Sequence, residues 1–156
     1  MMKGNNMDTE ITLQLSATPT DSGFDILAIN AGVAKGYGFA FSSAVLQEAV
    51  DLYNNKPVFI DHAPPGGQPS VRNLAGTISS PKWSVKENGI TAKLRPSGPA
   101  ANILLSVRDA AMEDPAIMQE VGFSTHLFVQ FDNKHNVKKI VRVKSVDVVI
   151  DPARGG

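Results

Sequence analysis

The run from Val121 to Phe131 constrains this chain most, because its residues alternate with the two-residue period of a β-strand. Val121, Phe123, Thr125, Leu127, Val129 and Phe131 fall on one side, and Gly122, Ser124, His126, Phe128 and Gln130 on the other. The first side suits a core. The second sets a hydroxyl and an imidazole two residues apart, pointing the same way, with Gly122 leaving room for another backbone or a substrate. A serine on a rigid strand beside open space is a place where a nucleophile can be built. The same pattern also fits a serine that is merely solvated or bonded to a neighbour.

The rest of the chain supplies more strands than helices. Ile11 to Leu15 and Asp25 to Ala31 read as strands around turn residues Thr18 to Gly23. Gly36-Tyr37-Gly38 lacks the third glycine and the strand-to-helix setting of a dinucleotide fingerprint, so no nucleotide site is expected there. Ser42 or Ser43 caps a helix to about Asn54, with Val45, Leu46, Ala49, Val50 and Tyr53 on its apolar stripe. Lys56 to Ile60 is a short buried strand that delivers Asp61-His62 to a Pro/Gly-rich loop over residues 63–72. Asn73 to Ser80, Trp83 to Lys86 and Ile90 to Leu94 read as strands, the last two joined at Asn88-Gly89. Pro99 opens a helix to about Met112 with Ile103, Leu104, Val107 and Ala111 inward. Asp132 to Asn136 is a hairpin loop, and Val137 to Ile150 returns as a long strand carrying Ser145-Val146-Asp147.

This element count predicts an α+β fold, a β-barrel of mostly antiparallel strands surrounded by helices. A length of 156 residues suits one domain over 10–156 behind a flexible tail over 1–9. Lys plus Arg equals Asp plus Glu at 15 each, so no global field favours nucleic acid or a membrane surface as partner. The absence of cysteine excludes disulfides, zinc thiolate sites and thiol catalysis. No apolar run approaches bilayer length, and Met1 to Glu10 is not signal-like, so a soluble protein is expected.

A serine hydroxyl needs a base near neutral pH, and imidazole is the usual one. His62 ends a buried strand beside a mobile loop, His126 shares a face with Ser124, and His135 lies in a polar hairpin loop. The base in turn needs a group that holds its tautomer, for which Asp147 and Asp61 are the candidates. Asp61, His62 and His126 also form a rival metal set. The rival is disfavoured because adjacent residues on a strand point to opposite faces.

Phe39-Ala-Phe-Ser-Ser-Ala-Val-Leu-Gln-Glu-Ala-Val50, Lys56-Pro-Val-Phe-Ile-Asp-His62, Leu74-Ala-Gly76, Val121-Gly-Phe-Ser124 and Ser145-Val-Asp-Val-Val149 leading to Asp151-Pro-Ala153 follow in an ordered series. In that order and spacing they resemble the prohead (capsid maturation) proteases of tailed bacteriophages, relatives in fold of the herpesvirus assembly proteases. The resemblance covers roughly residues 25–156. It implies a serine endopeptidase on a herpesvirus-protease-like barrel, with Ser124 matching the nucleophile and His62 the base. The third member, a second histidine in the herpesvirus relatives, falls at or near Asp147, which implies a Ser-His-Asp version. An arginine-containing turn follows in the relatives, so Arg154 and Gly155 are the expected oxyanion hole. The resemblance implies no cofactor, and scaffold and capsid proteins as substrates, cut in the host cytoplasm inside an assembling prohead. A second copy of the chain is a candidate partner. The end of the sequence at Gly155-Gly156, straight after that turn, suggests a trimmed or self-processed core.

Strand register tests this assignment. If Phe131 pairs with Val137, an unbroken ladder sets Ser124 opposite Lys144 and sends Asp147 to the other face. A bulge at Ser145-Val146 would repair the register; otherwise His126 becomes the third member. Two rival functions stand beside the peptidase. One is a catalytically inactive barrel acting as a capsid assembly or scaffold module, and the other is a metal-dependent hydrolase.

Overall fold

The computed structural model describes residues 8–34, 38–64 and 67–150. Among these residues nine strands and two α-helices follow in the order β1 (Thr9–Thr20), β2 (Gly23–Asn30), β3 (Gly32–Val33), β4 (Ala40–Phe41), α1 (Ser43–Glu48), β5 (Pro57–Ile60), β6 (Leu74–Ser84), β7 (Gly89–Pro96), α2 (Ala101–Glu113), β8 (Val121–Phe131) and β9 (Val137–Ile150). Seven strands close a barrel in the order β1-β2-β7-β6-β5-β9-β8, and β3 and β4 form a separate ribbon. Closure depends on β1 changing partners midway. Thr9 to Leu15 pair with β8, and Ser16 to Thr20 pair with β2, so one long strand spans the seam. All neighbours are antiparallel except β5 and β9, which run parallel from Val58–Val146 to Ile60–Val148. The barrel is therefore mixed.

The helices surround it only in part. α1 packs against β2, β7 and β9, and α2 against β1, β2, β6 and β7. Ser42 caps α1 as expected, accepting from Val45 N at 3.1 Å. The α-helix stops at Glu48 and tightens into a 3-10 turn over Val50–Tyr53, which drives Leu46 and Tyr53 into the core. Ile103 was expected inward and is 53 % exposed. On a helix it lies 100° from Leu104, and α2 buries a narrow stripe of Leu104 and Ala111. The two strands expected over Asn73–Ser80 and Trp83–Lys86 are one, β6, with a register shift between Ser79 and Lys82. Ser80 there is left-handed (φ 54°) and Pro81 has no N–H to pair, so the strand absorbs an irregularity instead of ending.

The core fills the barrel with Phe24, Ile26, Ile78, Leu94, Phe123, Leu127 and Val146, and the Phe24 and Phe123 rings meet at 5.0 Å. The side of β8 expected to face a core does so: Phe123, Thr125, Leu127 and Val129 are buried. Thr125 is tolerable there because Tyr53 Oη and Thr125 Oγ1 share a hydrogen bond of 2.7 Å. Burial holds the Tyr53 phenol well above its ordinary pKa. Tyr53→Phe strands the threonine hydroxyl and is expected to cost about 1–3 kcal/mol. Adding Thr125→Val removes the orphan and should recover most of that loss, which a double-mutant cycle by chemical denaturation measures.

Candidate active site

The outward face of β8 carries Ser124 and His126, and what stands opposite them is set by β9. β8 has 11 residues and β9 has 14, and the ladder runs from Val121–Ile150 to Phe131–Val137. The excess in β9 is taken up by three one-residue shifts that skip Lys138, Val141 and Lys144. The expected bulge at Ser145-Val146 is therefore corrected to three bulges earlier in the strand. Their sum is odd, so the face flips. Ser124 pairs directly with Asp147, and His126 with Ser145. Directly opposed residues project to the same side with Cβ atoms about 5 Å apart.

β5 brings the histidine. Because β5 runs parallel to β9 and Phe59 pairs with Asp147, its C-terminal end arrives beside the same carboxylate. Asp61 then adopts a left-handed backbone (φ 68°), donating its N–H to Val148 O at 2.7 Å. That turn sets His62 Nδ1 2.9 Å from Asp147 Oδ2. Asp61 thus contributes through its backbone.

Asp147 is the buried hub, only 3 % exposed. Ser145 Oγ donates to Oδ1 at 2.8 Å, and Oδ2 takes His62. His126 Nδ1 stands 3.8 Å from Oδ2, an electrostatic contact too long for a hydrogen bond of its own. The other nitrogen of His126, Nε2, is hydrogen-bonded to Glu10 Oε2 on β1, and Lys144 Nζ lies 3.7 Å from that oxygen. Burial by itself would raise the Asp147 carboxyl, but His126, His62 and Ser145 outweigh it and hold the group below its ordinary value. His126 is pushed up from its ordinary value, first by Asp147, against a lowering by burial, and further by Glu10.

Ser124 is 5 % exposed, and among the described residues its hydroxyl has no hydrogen-bond partner. Among the described residues no buried side-chain oxygen or nitrogen is left unsatisfied. A nearly enclosed hydroxyl that spends no hydrogen bond on the described residues keeps its oxygen available for an incoming group.

Of the residues singled out in sequence, Ser124, His62, Asp147 and His126 gather on this face. His135 does not; it lies in the β8–β9 hairpin with its ring stacked on Phe131 at 5.1 Å. Arg154 and Gly155 lie outside the described residues. Asp61, His62 and His126 form no metal cluster, and among the described residues no three His, Asp or Glu side chains are grouped as ligands. Glu10 and Ser145 were missed as members. Their signal was present in Glu10, Thr12 and Gln14, which alternate with the apolar Ile11, Leu13 and Leu15 of β1, and in a serine two residues before Asp147.

No protein-family model matches the sequence, and no curated protein matches it. Among solved structures, the bacteriophage T4 capsid assembly protease gp21 superposes with a TM-score of 0.60 at 16 % identity, covering 94 % of this chain and 100 % of that one. The two chains share one fold. The match with the T4 protease spans its whole length, so the seven-stranded barrel is common architecture rather than a local likeness.

Two opposite pH limits follow from the titrating groups. Asp147, lowered from 3.8, stabilises the fold fully above its ordinary pKa and loses that contribution as pH falls through the lowered value. His126, raised from 6.5, contributes fully below that value and loses it as pH rises through the raised one. Melting temperature against pH should show both limbs, and Asp147→Asn should flatten the acid one.

Proposed function

We propose that this chain is a serine endopeptidase that cleaves scaffold or capsid-protein segments during prohead maturation. The observation that carries the reading is a single carboxylate, Asp147, which stands in register opposite Ser124 while binding His62 Nδ1 at 2.9 Å. The likeness in fold to the T4 capsid assembly protease supplies the biological setting.

The chemistry follows from that geometry. Asp147 accepts from Nδ1–H, which fixes the tautomer with the lone pair on Nε2. Ser145 pins the second carboxylate oxygen, so Asp147 cannot rotate away. His62 Nε2 takes the proton of Ser124 Oγ as that oxygen attacks the scissile carbonyl, and the growing imidazolium is stabilised by Asp147. His62 then hands the proton to the leaving amine, and water releases the acyl group by the same route reversed. By the resemblance the oxyanion is assigned to a backbone amide of Arg154 or Gly155, which lie outside the described residues. No cofactor enters the scheme. The substrates are scaffold and capsid proteins in the host cytoplasm, inside the assembling particle, with self-cleavage as a further activity.

Co-expression with the cognate capsid protein, read by intact-mass analysis, tests the assignment. The parent chain should process its partner, whereas Ser124→Ala and His62→Ala should each lower the rate by about 10⁴-fold or more. Asp147→Asn should lose about 10²–10⁴-fold with the fold retained, and excess EDTA should leave cleavage unchanged. Processing that survives Ser124→Ala would assign the chain to the inactive assembly-module class instead.

A further inference from the structure

The site contains one histidine more than the Ser124-His62-Asp147 scheme uses. His126 is only 13 % exposed and sits between two carboxylates, with Nε2 on Glu10 and Nδ1 facing the Asp147 oxygen that holds His62. Its ring is further fixed by Phe128, stacked at 6.3 Å and 11° on the same face of β8. Three elements therefore hold one imidazole: β1 through Glu10, β8 through Phe128 and β9 through Asp147.

We propose that His126 is a positioning residue that shares the Asp147 carboxylate with His62 and so sets the pH at which His62 becomes a free base. The inference rests on the peptidase reading for its purpose, and on Asp147 alone for its physics. A charged His126 draws on the oxygen that would otherwise serve His62 alone. It also places a like charge on the far side of that oxygen, so a proton on His62 is held less tightly. When His126 is neutral, Asp147 supports His62 undivided, and the proton stays on to higher pH. Raised by its two carboxylates, His126 remains charged into the range where an ordinary imidazole begins to lose its proton.

The charged groups around His126 fit this role. Glu10 adds to the upward push that Asp147 exerts on His126, and Lys144 Nζ on β9 lies 3.7 Å from the same Glu10 oxygen. Arg142 lies over the Phe128 ring at 4.3 Å, so its charge is satisfied on the aromatic face next to His126. His62 itself is 40 % exposed and open to solvent, so its proton equilibrium can respond to a change at Asp147.

The test is an NMR titration of the three histidine Cε1–H signals in the full chain carrying Ser124→Ala, which removes self-cleavage. In the His126→Gln variant the His62 midpoint should rise by about half a unit or more. Glu10→Gln should move the His126 midpoint down, because one supporting carboxylate is gone. His135, about 20 Å away along β8, is the internal reference and should not move. A His62 midpoint that is the same in the parent and in His126→Gln overturns the proposal. Should His126→Gln unfold, Glu10→Gln carries the test, and a His62 midpoint that stays put there while the His126 midpoint falls overturns it. In the chain that retains Ser124, the acid limb of kcat/KM should move to higher pH on His126→Gln. Coupled midpoints in a chain that cleaves nothing would count against the peptidase reading alone. Cleavage with His62 indifferent to His126 would count against this inference alone.

Discussion

The site depends on the register between β8 and β9. A two-residue period makes face assignment a matter of parity, and any odd number of inserted residues exchanges the two faces of everything beyond them. β9 inserts three, at Lys138, Val141 and Lys144. Each shift sacrifices regular pairing and adds local twist, which a closed barrel of seven strands can absorb as curvature. The return is that Asp147 stands opposite Ser124 on the outer face, while Val146 and Val148 fill the core behind them. An even number would have buried the carboxylate among Phe123 and Leu127.

A buried carboxylate with too few donors would be a liability of several kcal/mol. Asp147 avoids this through Ser145 and His62, with His126 close by, and each donor comes from a different position along the barrel wall. That distribution ties the seam together. β1 reaches the cluster through Glu10, β8 through His126, β9 through Ser145, and the end of β5 through the left-handed turn at Asp61. A charge that needs all four segments in place disfavours any slippage among them. The same requirement preorganises the imidazole for proton transfer.

The fold shared with the T4 capsid assembly protease shows how little of the sequence the architecture demands. At 16 % identity the barrel survives because strand alternation, turn chemistry and core volume are satisfied by many residue choices. Position-specific demands are concentrated elsewhere. The Asn88-Gly89 turn is one, where a Cβ on Gly89 would lie 2.4 Å from Ile29 O. The outer band around Asp147 is another.

The sequence by itself determined the inner face of β8, the Ser42 cap, the hairpins at Asn88-Gly89 and Asp132–Asn136, and Ser124, His62, Asp147 and His126 as candidates for a site, but not Glu10 or Ser145. These are local: period, cap chemistry and turn residues act over a few positions and leave a readable trace. It did not determine the single strand β6, the early end of α1 or the exposure of Ile103, where packing against the barrel overrode local pattern. Nor could it place the bulges, because Lys138, Val141 and Lys144 carry no mark of being skipped. Tertiary structure alone decided that Ser124 faces Asp147 and that Glu10 reaches His126. Those pairings are set by how strands of unequal length wrap one closed cylinder, a constraint that no window of sequence contains.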